Sequence, residues 1–554
     1  MNGIRPCMHR KIRLPVITQL LPVATPLLPA TTLLFAILLL VGCRVREHEY
    51  FITAFGARGD GSTLCTGSIQ RAIDACHKAG GGTVVVPAGN FVTGTMVLKS
   101  DVEFHLQQGA RLVGSPDTAD YRVGGQRRGM VFAYQAKHIT LSGEGEICGR
   151  GSAFHRTGRA HMGQDFDRRV TRQGEDYLPA GQVPGDGPIA YDYRPGMLVV
   201  ILQCEQVAIK DLTFRDSPEW TFRIADCDNV SVTGISILNN LMIPNSDGIH
   251  CTTSRNVRIS GCDIRAGDDA IIVTGFGTLV EVGGDINTRL DYSTREYGNK
   301  TGYAENVTVT NCILQSRSAG IRVGYGINPI RNCVFSNLVI HDSNRGIGVF
   351  SRDDGSIEDI LFSDIIIKNR LHSGHWWGNG EPIHVSAVKQ DPDIPAGPVR
   401  NIRFRNIIAE SESGILIYGT EESPVKNVQL EDVSIHIARG TYTDSYGGNF
   451  DLRPVYTTDL GVFRHDIPAL YSQYTEGLTI RDLTVSWGND LPLWMTQAVH
   501  CTDFTNLTID GFYGAPARAG LPAIWLEDGS GASLEHIRGS SQGLRLVQQR
   551  NVAE

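Results

Sequence analysis

The 554-residue sequence has no CxxC pair and no Cys/His cluster at zinc-ligand spacing, which argues against a structural metal site. Its 12 cysteines are too few for a disulfide scaffold in so long a chain, although a Cys65–Cys76 bridge stays open. Basic residues are in deficit: 51 Lys+Arg against 59 Asp+Glu leave a net charge of −8, so the chain has no basic footprint for nucleic acid. No apolar run reaches the ~20 residues that a membrane-spanning helix needs. With 41% hydrophobic and 20% charged residues, overall disorder is excluded. The 62 glycines follow no three-residue period, which excludes collagen and points instead to many tight turns.

The first 43 residues have the form of an export leader. Arg5, Arg10, Lys11 and Arg13 precede an apolar stretch that closes on Leu40-Val-Gly-Cys43. This resembles a bacterial lipobox, with cleavage before Cys43 and lipidation on it; an ordinary secretory signal is the alternative, and Met8 is a second candidate start. Either reading exports the chain. The lipid reading anchors it to a membrane facing the periplasm or the cell surface, and a monomer is expected.

The rest, residues 44–554, is dominated by a repeat. Phrases of the form Asn/Asp, apolar, any, apolar recur at Asn229, Asn256, Asn306, Asn332, Asp359, Asn401, Asn427 and Asn506. Steps of 26 or 27 separate 229 from 256, 306 from 332, 332 from 359 and 401 from 427. The 50-residue step from 256 to 306 is two turns, or one turn with an insertion. A period in the twenties marks a solenoid. Within each phrase Val, Ile and Thr alternate at period two, which is strand patterning, and Asn, Asp and Gly supply the turns. A leucine-rich repeat lacks its leucine scaffold here, and a sandwich would space its strands less regularly. The expected fold is therefore all-β, a single parallel β-helix. One amphipathic helix is predicted over Thr66 to Ala79, with Ile69, Ala72, Ile73 and Cys76 on its apolar face, and it is expected to cap one end. Loop insertions are placed near 151–193, 278–305, 370–390 and 440–474. Cys262 and Cys312 hold matching repeat positions and are expected to be small buried core residues.

Several phrases resemble the pectinase-type β-helix: Ala54-Phe-Gly-Ala-Arg-Gly-Asp-Gly61, Gly80-Gly-Gly-Thr-Val-Val-Val-Pro-Ala-Gly89 and Gly143-Glu-Gly-Glu-Ile-Cys-Gly149. Ser217-Pro-Glu-Trp220, Asn245-Ser-Asp-Gly-Ile-His250 and Gly267-Asp-Asp269 then follow in the order of glycoside hydrolase family 28, the polygalacturonase-like enzymes. The resemblance spans roughly residues 50 to 440. It implies a right-handed, pectin-lyase-like helix and hydrolysis with inversion, without cofactor or metal. Asp268 would be the general acid, and Asp247 and Asp269 would hold and activate water. Such hydrolysis needs a proton donor for the leaving oxygen and a carboxylate for the water. Asp247 and Asp268 are 21 residues apart, close to one rung, which would stack them about 5 Å apart. Strand alternation would point Asp269 away from Asp268, so a bend is required there. Crowded acids raise at least one pKa, as a general acid at neutral pH requires.

The sequence also departs from this family. The histidine of its Gly-His-Gly falls on Ala319, and the cations of its Arg-Ile-Lys fall on Gly348 and Phe350. Plain polygalacturonate is thus a doubtful substrate, and a related pectic polysaccharide or oligosaccharide is expected. Arg322 is the candidate replacement cation. Asn245 and His250 are further candidate substrate-binding residues, with His250 also readable as a supporting residue behind the acids. In the loop that lengthens the 359-to-401 step, Trp376 and Trp377 could stack on a sugar, with His372, His375 and Glu381 bonding to it. Alternatively, the tryptophans pin the loop. Two other functions remain open: a polysaccharide lyase or epimerase, and a non-catalytic surface glycan-binding protein.

Overall fold

The computed structural model describes residues 48–161, 170–177, 185–277, 302–540 and 545–553. The expected leader with Cys43 lies outside them, as do most of the 278–305 insertion and parts of the 151–193 insertion.

The residue that opens each phrase adopts a left-handed backbone, with φ of 57° at Asn229, 55° at Asn256, 58° at Asn306 and 59° at both Asp359 and Asn401. Asn and Asp tolerate this conformation because their short polar side chains bond locally. Each such residue resets the strand alternation. In Ala304–Ser316, two outward residues stand side by side at Glu305-Asn306 and again at Thr310-Asn311, with inward and outward positions alternating elsewhere. The chain turns a corner at each pair. The corner side chains also tie successive rungs together: Asn256 donates to Asp228 at 2.8 Å, Asn401 to Asp359 at 2.9 Å and Asn427 to Asn401 at 2.7 Å.

Pairing between rungs is parallel and in register. Val230 faces Val257, Val257 faces Val307, Val307 faces Cys333, and Cys333 faces Ile360, followed by Ile402 and Val428. The 50-residue step is therefore one turn with an insertion. The rungs build a 34-stranded sheet wound around one apolar core. Identical side chains stack along it: Phe335, Phe362 and Phe404 lie with ring centroids 4.9 and 5.0 Å apart, nearly coplanar in orientation.

The predicted helix spans Thr66–Lys78 and buries Ile69, Ala72, Ile73 and Cys76. The Cys65–Cys76 bridge is not formed: both are buried free thiols, as are Cys262 and Cys312. Among the described residues, three antiparallel pairs stand off the solenoid sheet, a short one joining Arg122–Val123 to Gln126–Arg127 and two larger ones. One pairs His155–Ala160 with Ile189–Tyr191, and the other pairs Asn449–Asp451 with Val462–Arg464.

Candidate active site

Strand Ile249–Thr252 pairs with Ile271–Gly275 through Ile249 and Ile271, a rung step of 22 residues. Asp247 therefore falls opposite Asp269, which corrects the expected stacking of Asp247 on Asp268. The Gly248 N–H donates to the Asp269 carbonyl at 2.9 Å, which fixes that register. Between Ala266 and Ile271 the chain leaves the sheet and bends at Gly267-Asp268. A Cβ at Gly267 would lie 2.2 Å from the Ile243 carbonyl oxygen, so only glycine lets the bend sit against the preceding rung. The bend brings Asp268 and Asp269 to the same side, and all three acids line one cleft.

Each carboxylate has different partners. Asp268 accepts from Asn245 Nδ2 at 3.3 Å and from the Asp269 N–H at 3.0 Å. Asp269 accepts from the Ala319 N–H at 2.9 Å, and Arg322 Nε stands 3.0 Å from its other oxygen. Asp247 Oδ2 lies 3.9 Å from His250 Nδ1, and its Oδ1 has no hydrogen-bond partner among the described residues. All three are buried. Burial, and then repulsion from Asp269, push the Asp268 pKa up to about 7, against the pull of Arg322. Burial and the neighbouring charges of Asp268 and Asp269 raise Asp247 well above the usual carboxylate range. Burial opposes the charge of Arg322, but Asp269 together with Tyr325, Asp247 and Asp268 outweighs it and the guanidinium pKa rises. The cluster thus holds at least one proton near neutrality.

His250 does not reach the cleft. It is fully buried, stacks on Trp220 with centroids 3.7 Å apart, and shares a hydrogen bond of 3.1 Å with Thr274. Burial lowers its pKa well below the ordinary value, so it stands neutral behind Asp247. This corrects its placement among substrate-binding residues.

The 370–390 loop divides. Trp377 is half-buried and lines the cleft. Trp376 is buried and donates from Nε1 to the Asp186 carbonyl at 3.1 Å, so it pins the loop instead of offering a platform. Asp186 also takes His372 at 2.6 Å and Arg370 at 2.9 Å, which ties the loop to the 185–194 segment. His375 is buried inside the loop, and Glu381 is fully buried 3.5 Å from Arg345. These three predicted binding residues, Trp376, His375 and Glu381, are therefore structural in position.

Arg345 and Arg453 line the cleft and were not anticipated. Arg345 lies on the acids' own ladder, since Asp269 aligns with Ala319 and Ala319 pairs with Arg345. Counting rungs from Asp247 would have found it. Arg453 comes from the late insertion and has no local signal. Both converge on the fully buried Asp451, Arg453 through contacts of 2.9 and 3.1 Å and Arg345 at 3.7 Å. Burial pushes Asp451 up, but Arg453 and Arg345 outweigh it and hold its pKa at about 2. The Arg453 guanidinium also lies 5.0 Å from the Trp377 ring centroid, which fixes the half-buried tryptophan in place.

Gly348 pairs with Arg322 across the sheet, and the space beside it is filled by the Phe350 ring; a Cβ there would come within 2.4 Å of that ring.

A parallel β-helix with three buried carboxylates gathered at one bend, flanked by arginines and an aromatic wall, has the parts of a glycoside-cleaving site. The model for glycosyl hydrolases family 28 matches residues 192–446. A probable polygalacturonase of Vitis vinifera is 25% identical over 421 residues, covering 71% of this chain and 75% of that one. An exo-poly-alpha-D-galacturonosidase of Dickeya chrysanthemi is 30% identical over 259 residues, covering 41% of this chain and 42% of that one. Among solved structures, a family 28 exopolygalacturonase of Yersinia enterocolitica shares the fold with a TM-score of 0.59 at 17% identity, covering 85% of this chain and 80% of its own. A hyperthermoactive exopolygalacturonase of Thermotoga maritima does so with 0.56 at 20%, covering 80% and 93%. The chain is a glycoside hydrolase. The family that these findings support is glycosyl hydrolases family 28.

Proposed function

We propose that the protein hydrolyses a pectic polysaccharide or oligosaccharide with inversion. The carrying observation is the asymmetry of the three acids. Asp268, with its pKa raised to about 7, gives its proton to the leaving glycosidic oxygen. Asp247 and Asp269, in register on neighbouring rungs, hold a water that attacks the anomeric carbon as the old bond breaks. The proton from that water enters the Asp247/Asp269 pair, and Arg322 balances the charge. Lyase chemistry finds less support, because the cleft is built on three carboxylates and its arginines are already paired with acids.

Plain polygalacturonate is proposed to be the poorer substrate. Gly348 and Phe350 present no charge, and the cations in the cleft stand elsewhere, at Arg322, Arg345 and Arg453. Action at chain ends is part of the proposal, since Trp377, Arg453 and Pro454 wall the cleft. Export and lipid anchoring at Cys43, as a monomer, complete it; the leader's composition supports this. The test is a panel of pectic glycans with products read by proton NMR. Inverted, short products from the first minutes are expected, whereas retained configuration would overturn the three-acid assignment and an unsaturated product would indicate a lyase.

A further inference from the structure

The sheet face that carries the acids continues for seven rungs beyond Asp269, to the strand Ile524–Gly539, a distance of about 34 Å at the usual strand spacing. There a second surface groove of about 450 Å³ opens. Its floor is His500 and Trp525, the outer steps of an in-register aromatic ladder that continues beneath them to the buried Tyr471. His500 and Trp525 stack with centroids 5.4 Å apart and planes 26° apart, and Trp525 is only partly buried. His500 is held by Glu527 at 3.0 Å, which fixes the ring plane. The walls carry Arg464, His465, Asp466 and Gln497.

Arg172, also in the wall, is spent on structure: it donates to the His465 carbonyl at 2.9 Å, lies 3.6 Å from Asp466 and covers the Trp494 ring. Arg464 is exposed. Its strand belongs to the hairpin whose Asp451 end, with Arg453 just beyond it, faces the catalytic cleft. One hairpin therefore stands between two concave sites.

We infer that this distal groove is a second, non-catalytic binding site for an acidic polysaccharide chain. Trp525 and His500 present a flat apolar face to a sugar ring. Arg464 meets a carboxylate as a planar fork, and Gln497 is placed for ring hydroxyls. The choice of an acidic glycan rests on the pectic reading of the active site; the groove itself does not.

Affinity gel electrophoresis of the full chain, in an Asp268→Asn background that prevents turnover, separates the two. Polygalacturonate in the gel should retard this protein, and neutral arabinan should not. Trp525→Ala and, independently, the exposed Arg464→Ala should each weaken retardation at least fivefold. In the active background, the same changes should raise KM for polymer about fivefold and leave kcat/KM on a disaccharide substrate unchanged. Equal retardation of variants and parent overturns the inference, as does absence of retardation in the parent. Equal retardation by arabinan overturns the acidic specificity. Should the active site prove to act on another sugar, retardation would still report on the groove, because it is measured without hydrolysis.

Discussion

Arg322 Nε stands 3.0 Å from Asp269 Oδ2, and through that contact one cation governs a cluster of three buried acids. Its charge opposes the rise of the Asp268 pKa, which burial and Asp269 together set at about 7. The proposed general acid must be protonated to act. Activity should therefore fall as pH rises through about 7, seen as the alkaline limb of kcat/KM. Arg322→Gln should move that limb upward while lowering the maximum, because the restraint on Asp268 is gone.

Asp268→Asn should reduce kcat by about 10² to 10⁴-fold, with far-ultraviolet circular dichroism unchanged. A variant that retained near-parental kcat would remove Asp268 from the reaction.

Trp376 and Trp377 are adjacent yet should respond differently. Trp377→Ala removes a cleft wall and should lower kcat/KM about tenfold with little change in melting temperature. Trp376→Ala empties a buried site and breaks its bond to Asp186, and should cost stability by about 3–5 kcal/mol. Thermal melts run beside kinetics distinguish the two.

Asp451→Asn should destabilise the protein by about 3–5 kcal/mol, since Arg345 and Arg453 then lose a buried counter-charge. The Asp451 pKa is depressed from 3.8 to about 2, so its contribution is present above about pH 4 and fades as pH falls towards 2. Denaturation of parent and variant across that range should show the difference closing.

Much of this molecule was legible in the residue order. The Asn and Asp corners carried the rung period because each takes a left-handed backbone, and the family-like order of Asp247, Asp268 and Asp269 located the cleft. The register was misjudged by one residue, since a rung of 22 and a rung of 21 differ only in a bend that Gly267 makes. Arg453 was invisible because it arrives from an insertion 184 positions beyond Asp269, with no periodicity to tie it to the acids. Glu381 and Trp376 looked available because burial inside a loop leaves no pattern in its composition.

Gly348 and Phe350 hold one more consequence. The benzene ring occupies the volume that any side chain at 348 would need, with 2.4 Å of clearance for a Cβ. The two positions are thus locked epistatically. An arginine at 348 is not a single tolerable step, and a mutational path between this specificity and one with both cations must change the ring before, or together with, the glycine.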